Sequence, residues 1–123
     1  MEYSGYSARV ALQTIQLSAV ELAQQTLVRI ERDNPQVNVF TEVTTARMLA
    51  EAAEVDAKIA NGEALPPLAG VSCAVKNRFD IEGITTLAGA KLFSEAPPAL
   101  GDAFAIRQRQ QALVFWHVMS VKV

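Results

Sequence analysis

The stretch "LPPLAGVSCAVKNRF", residues 65–79, decides the fold, because an apolar, alternating run in it ends on a lysine. Continued as "VSCAVKNRFDI", it reads as a β-strand, with Val71, Cys73 and Val75 on one face and Ser72, Ala74 and Lys76 on the other. Side chains as small as Ser72 and Ala74 predict that the second face is covered too, as in the sheets of α/β proteins. Lys76 then has two readings. It closes the strand with its stem packed and its ammonium in water, or it is an amine shielded from water that accepts a proton. Spacing alone favours the first, because fully buried lysines are scarce.

Upstream, the pattern is helical. In "LSAVELAQQTLVRIERDNP" Ser18 and Glu21 form a capping box, and Leu17 and Leu22 suit a hydrophobic staple. Val20, Ala23, Leu27 and Ile30 follow as one apolar stripe. Asn34-Pro35 predicts the stop, since the residue before proline avoids helical angles. After a short extended linker, "QVNVFTEV", a second helix starts near Thr44 or Thr45. Met48, Ala52, Val55 and Ile59 line its apolar face, with Asn61-Gly62 as a left-handed end. Its acidic residues Glu51, Glu54 and Asp56 read as a solvated face.

Downstream, "EGITTLAGAKLF" bends at Gly83 and Gly89 around two threonines. "EAPPALGDAFAIRQRQQ" reads as a loop and then a helix capped by Asp102, and "ALVFWHVMSVKV" as a further possible strand. One clear strand does not make a sheet, so the pattern predicts the beginning of an α/β domain. Residues 1–13 and those after about 107 are expected to be partly disordered.

Composition excludes several function classes. The chain has 123 residues, 50% hydrophobic and 20% charged, with a formal net charge of −2. That is a globular balance without the basic runs that suggest nucleic acid or an anionic membrane as partner. No apolar stretch approaches the roughly 20 residues that span a bilayer, and the N-terminus lacks the pattern of a secretory signal. One cysteine fits a reducing compartment, and the expected location is cytoplasmic. Cys73 reads as a small core residue. With His117 the only histidine, neither a metal site nor a Cys–His pair is supported. No serine lies in a glycine-flanked elbow, and the six glycines form no phosphate-binding loop.

Across "LPPLAGVSCAVKNRFDIEGITTLAGAK" the sequence resembles the amidase signature family, whose N-terminal region carries a pattern like "PLAGvPvaVKD.fdv.G..TTaGS". Pro67, Leu68, Ala69, Gly70, Ala74, Val75, Lys76, Phe79, Asp80, Gly83, Thr85, Thr86, Ala88 and Gly89 match it. "LSAVELAQQTLVRIERDNPQVNVFTEV" is similar to the family's opening helix, and within the family the combination is most similar to the carboxybiuret-type hydrolases. The resemblance implies an α/β fold of helices packed on a mixed sheet, incomplete in this chain. It also implies hydrolysis of carbon–nitrogen bonds in linear carboxamides by a serine–serine–lysine triad; no cofactor and no metal are expected. The family's lysine matches Lys76, which by resemblance relays a proton so that a serine can attack the amide carbon.

The sequence departs from the family at Asn77, where aspartate is common, at Gly89-Ala90 in place of Gly-Ser, and after Arg107. The expected organisation is an N-terminal extension over 1–13, a partial amidase domain over 14–106, and a divergent tail over 107–123 of the kind a frameshift or truncation leaves. The glycine- and serine-rich segment that supplies both serines is absent, so the expectation is an N-terminal amidase fragment without activity of its own. The alternative is a non-catalytic partner or regulator that self-associates or docks on a full-length amidase.

Overall fold

The computed structural model describes residues 5–14, 16–110 and 113–119. In chain order it contains α1 (Gly5–Gln13), α2 (Ala19–Val37), α3 (Thr45–Ala60), β1 (Leu68–Lys76), a short 3-10 turn (Lys91–Phe93), α4 (Phe104–Gln110) and β2 (Leu113–Met119).

The start of α2 follows from its local sequence. Glu21 N–H donates to Ser18 Oγ at 3.1 Å and Ser18 N–H to Glu21 Oε2 at 2.8 Å, which satisfies two amides that the first turn leaves without helical partners. The end differs from the expectation. Pro35 lies inside α2, and the helix closes only at Asn38, whose left-handed φ of 52° and N–H to Asn34 O complete the last turn. Asn34 instead fixes the exit of the chain: its side chain donates to Phe40 O at 2.9 Å and accepts from Phe40 N–H at 2.8 Å. Helix α3 buries Met48, Ala52 and Val55, the stripe that the sequence predicts.

These faces meet in one core of Ala8, Leu12, Ala19, Leu22, Ala23, Met48, Ala52 and Val55. Residues expected to be partly disordered thus form α1, and Ala8 and Leu12 bury its inner side. Leu12 packs on β1 at Gly70, where φ is +82° and a Cβ would fall onto Leu12 Cδ1. Only glycine fits both the backbone angle and the close approach. The β1–β2 register shifts between Leu68 and Ser72, around this glycine.

Strands β1 and β2 pair in parallel, with Leu68 opposite Leu113 and Lys76 opposite Met119, so the last stretch is the second strand the sheet needs. A second, smaller core joins Val75 to Ile81, Ile84 and Ile106, with Val71 and Cys73 packed against it. This agrees with Cys73 as a core residue. The opposite face is a correction: Ser72, Ala74 and Lys76, expected to be covered, are exposed. Side-chain alternation reports which residues share a face, not what lies over it.

Candidate active site

Lys76 is the last residue of β1, exposed, and lines an open cavity of about 300 Å³ together with Cys73, Ala74, Phe79, Ala105 and Ile106. Among the described residues its ammonium has no hydrogen-bond or ion-pair partner, and no serine hydroxyl is placed against it. Ser72 shares its face but lies four residues earlier along the strand, too far for contact. Ser94 is used locally, donating to Lys91 O at 2.7 Å. The surroundings therefore offer an exposed lysine side chain at a largely apolar recess.

The backbone turns sharply after Lys76, whose carbonyl accepts from Arg78 N–H at 2.7 Å. Asn77 is the one buried polar or charged residue among those described. Its Nδ2 donates to Thr85 O at 3.2 Å, its Oδ1 accepts from Leu87 N–H at 2.9 Å, and its backbone carbonyl accepts from Ala88 N–H at 2.9 Å. One residue thus holds the segment 85–88 against the end of β1. Both threonines of that segment are also engaged, Thr85 Oγ1 donating to Ala96 O at 3.0 Å and Thr86 Oγ1 to Asp80 Oδ1 at 2.5 Å. The departure from aspartate at position 77 is visible in the sequence; its role is not, since its partners lie beyond the reach of any local pattern.

Helix α4, which contributes Ala105 and Ile106 to the cavity, is tied back to α3 by a charge cluster. Arg47 meets Asp102 in a two-pronged pair (Nη1–Oδ1 2.9 Å, Nη2–Oδ2 2.7 Å), and its Nε donates to Glu51 Oε1 at 2.9 Å. Asp102 Oδ1 also accepts from Glu82 N–H at 3.0 Å. The sequence pattern makes Asp102 the cap of α4; in the structure it also binds Arg47 and the 80–84 turn. Two of the three acidic residues expected on a solvated face are likewise occupied. Glu51 is half-buried, with Oε2 lacking a partner, and Asp56 accepts from Ala19 N–H at 2.7 Å and Val20 N–H at 3.1 Å, capping α2 from α3. Burial pushes the Glu51 carboxyl up, and the Arg47 charge only partly offsets it. The paired carboxylate of Asp102 holds the Arg47 guanidinium above its ordinary value.

The family model for amidases matches residues 21–115, from the first turn of α2 into β2. The chain belongs to the amidase family. It is 45% identical over 95 residues to AtzE, the 1-carboxybiuret hydrolase subunit of Pseudomonas sp. (strain ADP), a match that covers 77% of this chain and 21% of that protein. It is 42% identical over 94 residues to a glutamyl-tRNA(Gln) amidotransferase subunit of Gloeobacter violaceus, covering 76% of this chain and 19% of the relative. The chain therefore spans about a fifth of the length of the curated relatives it matches. Among solved structures, it superimposes with a TM-score of 0.85 and 38% identity on a chain of an inhibitor-bound vestigial protein complex described as revealing the evolutionary origins of an s-triazine catabolic enzyme. That superposition covers 96% of this chain and 25% of the other. The peptide amidase of Stenotrophomonas maltophilia (TM-score 0.79, 24% identity, 97% of this chain and 24% of that one) shares the fold.

The family match begins within α2 and runs past Arg107 to residue 115, which takes in the first residues of β2. In this amidase chain α1 and α3 pack on the β1–β2 ladder, and the turn after Lys76 leaves the sheet at the end of β1. Among the described residues no helix is long and apolar enough to cross a membrane, and no group of three or more His, Cys, Asp or Glu side chains converges as a metal site.

Proposed function

We propose that this chain is the lysine-bearing N-terminal part of an amidase that hydrolyses carbon–nitrogen bonds of small linear carboxamides, with Lys76 as its proton-accepting residue. One observation carries the reading: Lys76 stands unpartnered among the described residues, on an exposed sheet face at the mouth of the cavity shared with Phe79 and Ile106. The amine is open to a reacting hydroxyl, and the described residues place none beside it. In this reading Lys76 works as a neutral amine: an incoming serine gives its proton to it, directly or through a second serine, and attacks the amide carbon. The C–N bond breaks as the proton passes to the departing ammonia, and water hydrolyses the acyl-serine. With no serine hydroxyl brought to Lys76 by the described residues, this reading expects the chain by itself to have no amidase turnover. The similarity to a 1-carboxybiuret hydrolase favours short, polar, urea-like amides as the substrate class. The test is ammonia release from a panel of linear carboxamides by the purified chain. The reading expects none above a Lys76→Ala control; turnover that this substitution abolishes would overturn it.

A second reading, a non-catalytic chain that associates with itself or with a complete amidase, is favoured by one feature. Leu100 and Leu92 are 100% and 86% exposed, Phe104 is exposed as well, and the Ser72–Ala74–Lys76 face of the sheet is open. Sedimentation of the purified chain, alone and mixed with a full-length relative, distinguishes the two: a monomer that ignores the relative counts against association.

A further inference from the structure

We propose that Asn77 is a positioning residue of the amidase site: its side-chain amide latches the segment 85–89 to the end of β1 and thereby fixes where Lys76 stands. The inference deepens the amidase reading and rests on Lys76 being the working amine. Three polar atoms of Asn77 take part. Nδ2 donates to Thr85 O, Oδ1 accepts from Leu87 N–H, and the main-chain oxygen accepts from Ala88 N–H. The hydrogen-bond network itself fixes the orientation of the amide, since an N–H faces one end and a carbonyl oxygen the other.

The latched segment needs such a hold. Ala88 has a φ of 47° and Gly89 one of 79°, so two successive residues adopt left-handed angles, one of them with a side chain. The bend returns the chain toward Asp80 through Thr86, and Asp80 and Thr86 line a second open cavity of about 470 Å³ with Pro97, Pro98 and Leu100. Lys76, one residue before the latch, lines the first cavity. Asn77 therefore lies where the segments that wall the two cavities join, and releasing it frees the turn that follows Lys76 as well as the segment 85–89.

In this chain the amide matches both of its partners, one acceptor and one donor. An ionised carboxylate in its place would keep the bond from Leu87 N–H but set a second oxygen against Thr85 O, two acceptors with no proton between them. A protonated carboxyl could donate to Thr85 O and restore the arrangement. The Asn77→Asp variant should consequently be latched at low pH and open at neutral pH, whereas the wild-type side-chain amide does not ionise.

The experiment follows amide hydrogen exchange and the Lys76 side-chain resonances by nuclear magnetic resonance, on the whole chain and on N77D, from acid to neutral pH. In the wild type, Leu87 and Ala88 should be protected like the interior of β1. In N77D their protection should fall by about tenfold or more as the carboxyl ionises, the range expected when a buried polar group loses its partner, and the Lys76 signals should shift with the same midpoint. Unprotected Leu87 and Ala88 amides in the wild type would overturn the latch whether or not the variant folds. A segment that opens in N77D while Lys76 stays unmoved would overturn the positioning role and leave Asn77 purely structural. Neither readout depends on turnover, so failure of the latch and failure of Lys76 as the proton acceptor are seen separately.

Discussion

Removing the Asp102 carboxylate (Asp102→Ala) tests how the site segment is held to the helices. Asp102 receives two hydrogen bonds from Arg47 and one from Glu82 N–H. The Arg47 and Asp102 side chains are 22% and 9% exposed, so the pair is largely out of water. Breaking a buried pair by deleting one partner costs about 3–5 kcal/mol, because the remaining charge is stranded. Here Glu51 stays on Arg47, and partial exposure lets water replace some of the loss, which brings the expected cost to about 2–3 kcal/mol. With a urea m-value of about 1–3 kcal/mol/M, the unfolding midpoint should fall by about 1 M. Urea titration followed by circular dichroism measures it. A double-mutant cycle with Arg47→Met isolates the pair, and Asp102→Leu with Arg47→Met should recover part of the loss, since an apolar pair strands no charge. A loss below about 0.5 kcal/mol, the level of an ordinary exposed ion pair, would refute the reasoning.

Three further outcomes are expected. Asp56→Ala should cost about 2 kcal/mol in the same titration, because it leaves two first-turn amides of α2 without their acceptor, one of them on the fully buried Ala19. Gly70→Ala should destabilise by about 2–4 kcal/mol, combining a left-handed backbone angle with overpacking against Leu12, and trimming Leu12 to Ala alongside it should relieve only the packing part. Glu51 has a folded value raised above its ordinary 4.5, so its contribution is fully present below that value and is lost as pH rises through the raised one. Glu51→Gln should flatten that loss of stability, read as unfolding midpoints from about pH 4 to pH 7.

What the sequence discloses depends on how local each interaction is. The Ser18–Glu21 capping box and the Met48, Ala52, Val55 stripe involve neighbours within a turn or two, and both are legible from spacing. The end of α2 is not, because the rule for proline describes a preference of the preceding residue, whereas Asn38 takes the left-handed angle and Asn34 bonds forward to Phe40. The roles of Asp56 and Asp102 escape the pattern because their partners lie 36–37 and 55 residues away, which no periodicity encodes. The small residues of β1 do share a face, as alternation predicts, but they are exposed there. The match to the family pattern singles out Lys76, and no spacing rule would have. Asn77 stands out only as a departure from that pattern, and its bonds to Thr85 and Leu87 give the departure a physical content.

The central claim, that Lys76 is the working amine of an amidase segment, is tested most directly in a chimera. Residues 21–115 of this chain would replace the matching segment of a full-length 1-carboxybiuret hydrolase, and ammonia release from that enzyme's own substrate would be measured with and without Lys76→Ala. The account predicts an active chimera whose kcat falls by about a thousandfold or more when the amine is removed, the scale of losing one essential proton-transfer partner. A chimera that turns over equally well with alanine at position 76 would contradict it.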